Sequence, residues 1–193
     1  MKKFTVLISV VFVLGLFFTA CTTPPTNEMD KATDAVTRAE NDADAVAYAP
    51  DTLIRAREAL TRMQKEAEAK RYDAAKNYAA EAINYAEKAI ADGKTGLART
   101  RDEAASLINS LQGSLEETTK ALDAARGVPN IQLDFDALSR DLAFANRTYE
   151  DARQSFRANN YLDAIARAQA VRSILSGINT RINEAAQTIS RKK

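Results

Sequence analysis

The stretch "ADGKTGLARTRDEAASLINSLQGSLEETTKALDAA", residues 91–125, decides how this chain folds. Leu97, Ala104, Ile108, Leu111, Leu115, Leu122 and Ala125, with Arg101 and Thr118 between them, form a ladder whose steps alternate four and three. Side chains three and four residues apart lie above one another on an α-helix, so the ladder is the seam of one helix face. Gly93 and Gly96 pose the question of topology. As a turn they would give six helices in one meander. Inside a helix each costs only about 1 kcal/mol, and residues from about 73 to 126 would form one rod of roughly 80 Å at 1.5 Å per residue. The stripes on either side of Gly93 stay nearly in phase, which favours the rod. The step from Gly93 to Leu97 is the second four in a row, a stutter that locally unwinds a coiled coil. A continuous rod also predicts that alanine at Gly93 and Gly96 stabilises the protein.

Seams of the same kind extend in both directions. Upstream, Ala32, Val36, Ala39, Ala43 and Val46 make one helix that ends at "YAPD", where Pro50 forbids its continuation. Leu53, Ala56, Leu60, Met63 and Ala67 make the next, ending near "AKRYD", and Ala75, Ala79, Ala82, Ala86 and Ala89 follow. Downstream, "RGVPN" interrupts the pattern with Gly127 and Pro129. Phe135, Leu138, Leu142, Ala145, Tyr149, Ala152 and Phe156 then make a helix that stops at "ANNY". The last seam runs from Ala164 through Ala168, Val171, Leu175, Ile178 and Ile182 to Ile189. Short connections fold each helix back on its neighbour. The expectation is an all-α protein of antiparallel hairpins, forming two tandem three-helix bundles, residues 28–92 and 97–191, that share a long central helix. "AEAKRYDAAKNYAAEA" and "FRANNYLDAIARAQAV" echo one another, with Tyr72 and Tyr161 89 positions apart, each after a turn. The period is far from the 34 residues of tetratricopeptide repeats, which argues against a solenoid.

The amino-terminal end differs in kind. Met1-Lys2-Lys3 is cationic, Phe4 to Phe18 is apolar apart from Thr5, Ser9 and Gly15, and the small residues Thr19 and Ala20 precede Cys21, the only cysteine. These are the parts of a secretory signal peptide. The apolar run is shorter than the roughly 20 residues needed to span a bilayer. With cysteine directly after the small residues, the stretch resembles the lipobox of bacterial lipoproteins, although Phe18 stands where that family usually has Leu. The resemblance implies cleavage after residue 20, acylation of the Cys21 thiol, and a polar tether over residues 21–27 stiffened by Pro24 and Pro25. Thr22 after the cysteine resembles lipoproteins sorted to the outer membrane, facing the periplasm. Of 27 basic residues Lys2 and Lys3 lie in the leader, so the remainder carries about −1 against 26 acidic ones. Near neutrality argues against nucleic acid as a partner.

"YAP" at 48–50, with Leu53, Ala56, Leu60, then Tyr72 and the alanine ladder from Ala75 to Ala89, is similar to an alanine-rich helical domain of unknown function. That domain recurs in bacterial envelope lipoproteins, often ahead of a peptidoglycan-binding domain of the outer-membrane-protein-A type. Nothing resembling the latter domain follows here, so the resemblance implies a compartment and a fold and leaves the activity blank.

Chemistry-bearing patterns are few. "GKTG" at 93–96 lacks the glycine five residues before Gly93, where Lys88 stands, and the leading strand that a phosphate loop needs. The pairs Asp102-Glu103, Glu116-Glu117 and Glu150-Asp151 are adjacent, so they diverge around a helix. There is no histidine, and a lone cysteine has neither a base to activate it nor a disulfide partner. Neither an enzyme, a cofactor nor a metal centre is expected. Tyr72, Tyr78 and Tyr85 recur near helical spacing and are read as packing at the bundle edge. The candidate interaction patch is Tyr149, Arg153, Phe156, Arg157 and Tyr161 around "ANNY", since tyrosine and arginine are enriched at binding hot spots. The expected function is a lipid-anchored envelope scaffold, held to the membrane by its lipid and binding another envelope protein or a cell-wall component. The alternative is a spacer tying membrane to peptidoglycan: murein lipoprotein, also lipidated and helical, ends in a lysine joined to peptidoglycan, and this chain ends in Lys193.

Overall fold

A computed structural model describes residues 23–190. The leader, Cys21 and the two terminal lysines lie outside the described residues. The elements are α1 (Thr26–Asn41), α2 (Ala43–Tyr48), α3 (Pro50–Glu68), α4 (Tyr72–Arg126), α5 (Phe135–Arg157) and α6 (Tyr161–Ser190), with no strand among the described residues. The protein is all-α. Helix α4 runs unbroken for 55 residues through both Gly93 and Gly96. The chain divides after Lys94 into two compact units, so α4 contributes its first part to one core and the rest to the other.

The first unit is built on small side chains. Ala32, Val36, Ala39, Leu53, Ala56 and Met63 of α1 and α3 pack on the alanine ladder of α4, Ala75, Ala79, Ala82, Ala86 and Ala89, every one of them buried. Two expectations fail here for identifiable reasons. Residues 28–48 do not form one helix. Asp42 leaves helical geometry at φ −83 and ψ 112, and its carboxylate accepts the Ala45 N–H at 2.8 Å, capping a separate short helix. Asx side chains favour such caps because they satisfy an amide with no partner inside the helix. The restart rotates the phase. Ala45 and Ala49 become buried, whereas Ala43 and Val46, placed on the seam by spacing, face outward, Val46 at 48 % exposure.

The second failure is at Gly93. A Cβ there would lie 2.5 Å from the Ala45 nitrogen and 2.6 Å from the Asp44 carbonyl carbon, so the backbone of α2 occupies the place of a side chain. Gly93 is helical, yet alanine is not tolerated. Its neighbour Asp92 accepts hydrogen bonds from Thr52 Oγ1 at 3.1 Å and Lys88 Nζ at 2.8 Å, tying the start of α3 to α4. "DGK" is therefore a packing joint. At "YAP", Ala49 ends α2 and Pro50 opens α3 at a position where proline's missing N–H costs nothing.

The second unit has larger side chains. Leu111, Leu115 and Leu122 of α4 meet Leu138 of α5 and Val171, Leu175 and Ile178 of α6. Thr118, 1 % exposed, accepts a hydrogen bond from Asn179 Nδ2 at 3.0 Å, a polar tie between α4 and α6 that fixes their register. Arg101 does not share that role: it is exposed, and Thr100 beside it is half-buried. After α4 the chain turns through Asn130 at φ 64, and Asp134 caps α5 by accepting the Ala137 N–H at 2.9 Å. Arg126 closes this turn, donating to Ser139 Oγ at 2.7 Å with its guanidinium 5.7 Å from the Phe135 ring centre.

Candidate functional site

The turn from α5 to α6 gathers the five residues expected to form an interaction patch. A Schellman-type end, with Asn159 at φ 61, stops α5 and returns the chain into α6 two residues later. The Phe156 and Tyr161 rings meet at 5.3 Å with planes inclined by 58°. Tyr161 and Tyr149 are each only 8 % exposed, and Phe156 is half-buried against the same core. These aromatics close the end of the bundle, and the Tyr161 hydroxyl donates to Asn159 Oδ1 at 2.7 Å, bracing the turn.

The arginines are what the patch offers to solvent. The Arg153 guanidinium lies 5.7 Å from the Tyr149 ring centre and donates to Glu150 Oε1 at 3.0 Å. Arg157 Nε donates to the Arg153 carbonyl at 3.3 Å. A guanidinium held near an aromatic ring loses less freedom when it meets a partner, and it keeps further N–H donors for a carboxylate.

A second cluster on this turn, Asp151, Ser155, Asp163 and Arg167, was not singled out from the sequence. Ser155 donates to Asp163, Arg167 Nε donates to Asp163 Oδ2 at 2.7 Å, and Arg167 Nη1 donates to Asp151 Oδ2 at 3.4 Å. The Ser155 hydroxyl, and then Arg167, hold the Asp163 carboxyl below its usual range. Asp151, Ser155 and Arg167 line an open cleft of about 380 Å³, with Gln154, Ala158 and Asn160 completing its wall. The Asp163–Arg167 spacing of four, on one helix face, is the signal in the sequence that could have found it. Glu150 and Asp151 turn to different partners, Arg153 and Arg167. A further open cleft of about 530 Å³ lies between the loop residues Val128, Pro129, Asn130 and Gln132 and the end of α6 at Ala185, Thr188 and Ile189. In the first unit Tyr72, Tyr78 and Tyr85 are half-buried, Tyr78 and Tyr85 packing on the core and Arg62 lying 6.0 Å from the Tyr78 ring centre. Among the described residues no cluster of metal-ligating side chains occurs, and no helix is long and apolar enough to cross a membrane.

Residues 27–105 match the model of a family described as a domain of unknown function (DUF4398), a stretch that runs from the start of α1 through the first unit and on along α4 into the second. No curated protein and no solved structure matches the chain.

Proposed function

We propose that this protein is a lipid-anchored helical scaffold of the bacterial cell envelope, without catalytic activity, that binds another envelope protein through the exposed arginines of the α5–α6 turn. The observation that carries the reading is the closeness of Cys21 to the first helix. Helix α1 begins at Thr26, and five residues span at most about 18 Å. A lipid on the Cys21 thiol therefore keeps the start of α1 within about 18 Å of the membrane surface. The lipobox resemblance of "FTAC" and the similarity of the "YAP" region to envelope lipoprotein domains support the same compartment, with the outer membrane, periplasmic side, as the site. Arg153 and Arg157 supply the contact because they stand outside the core, on a turn whose backbone is fixed by Tyr161 and Asn159.

Replacing Arg153 and Arg157 together by Glu reverses both charges at exposed positions. Helicity and melting temperature should stay as in the wild type, while in-cell crosslinking of the lipidated protein loses its partner band. A partner recovered at full yield from the double variant would exclude this face.

A further inference from the structure

We infer that the second unit contains a second copy of the helical hairpin of the first, displaced by 89 residues and lying beyond the matched stretch. The turns are superimposable in their bonding. In the first, Arg71 N–H donates to the Glu66 carbonyl and Lys70 N–H to the Ala67 carbonyl, both at 2.9 Å. In the second, Asn160 N–H donates to the Ser155 carbonyl at 2.9 Å and Asn159 N–H to the Phe156 carbonyl at 3.0 Å. Both are Schellman ends, with Lys70 and Asn159 in the left-handed region at φ 60 and 61. Each is followed two positions later by a tyrosine, Tyr72 or Tyr161, that opens the next helix.

The cores keep the same offset. Ala56, Ala59 and Met63 fall on Ala145, Thr148 and Ala152. Beyond the turn, Ala75, Ala79 and Ala82 fall on Ala164, Ala168 and Val171, and every one of these positions is buried in both units. Further along, Ala86, Ala89 and Gly93 correspond to Leu175, Ile178 and Ile182, again buried throughout. The exchange of small for large is physical. The first copy admits the α2 backbone at Gly93, whereas Ile182 takes its place in the second copy's core.

The surfaces, by contrast, have not been kept. Arg153 and Arg157 correspond to Gln64 and Glu68, and Asp73 to the half-exposed Leu162. The two copies share a template and hold different groups on it, so the arginine pair belongs to the second copy alone.

The test uses the full chain and is independent of any partner. Asparagine tolerates the left-handed region better than lysine. K70N should therefore raise the melting temperature, by about 2–4 °C for a chain of this size, and N159K should lower it. Exchanging residues 68–71 with 157–160 should leave the helical circular dichroism intact. An unchanged or lowered midpoint for K70N, an unchanged or raised one for N159K, or lost helicity in the exchanged chain would each show that the turns are not equivalent. Loss of partner binding in the arginine double variant would neither mimic nor mask these results.

Discussion

Gly93 shows how far one residue's role depends on what packs against it. The α2 backbone fills the place of its missing Cβ, so the alanine that a free helix would welcome has to displace Asp44 and Ala45. G93A should destabilise by about 1–3 kcal/mol, the usual cost of overpacking. Gly113 is the internal control: it lies in the same helix, exposed, and a Cβ there meets nothing within 4 Å. G113A should stabilise by about 0.5–1 kcal/mol. Urea denaturation of the two variants should give midpoints on opposite sides of the wild type, and a stabilised G93A would refute the close approach. The charged residues make a separate prediction. Glu66 is held below its usual range chiefly by its hydrogen bond from Arg71, Asp92 by that from Lys88, and Asp163 by that from Ser155. A carboxylate with a lowered folded pKa contributes fully above its unfolded value of about 4, and that contribution is lost as pH falls through the folded value. Melting temperature should thus hold from neutrality to about pH 5 and fall below about pH 4. D163N should flatten part of that acid slope, and an acid slope as steep as the wild type's would show that Asp163 does not hold its folded charge.

At the scale of elements, the long helix was legible and the short one was not. The α4 seam repeats from Leu97 to Ala125, and two glycines cannot outweigh that many aligned side chains. The break at Asp42 was hidden because Ala39, Ala43 and Val46 continue the step of four and three across it. Asn41-Asp42 is the signal that could have shown it, since both are capping residue types. D42A should cost about 1 kcal/mol by removing the acceptor of the Ala45 N–H. Amide exchange should speed up first at Ala45 and Val46, and unchanged protection there would mean that the cap contributes nothing. The glycine contact was illegible for a different reason: no property of "ADGKTG" reveals that another backbone will lie on it. Thr118 could be placed on a seam, yet its partner Asn179 is 61 positions away, and Arg101 on the same ladder faces water.

For the whole molecule, the residues of the candidate site were legible as a cluster but their division of labour was not. Spacing brought Tyr149, Arg153, Phe156, Arg157 and Tyr161 to one turn. Only packing separates the tyrosines, which are buried, from the arginines, which are exposed. The Asp163–Arg167 cluster was missed because ion pairs on helix surfaces are too common to single out. The first helix begins five residues after a lone cysteine, and the anchor proposed there is the point most open to test. Feeding cells labelled palmitate and fractionating them without detergent, for the wild type and C21A, measures it directly. Lipidation at Cys21 predicts a labelled, membrane-associated wild type and an unlabelled C21A that keeps its leader or leaves the membrane. A C21A protein processed and membrane-bound like the wild type, or a wild type that takes up no label, would contradict it.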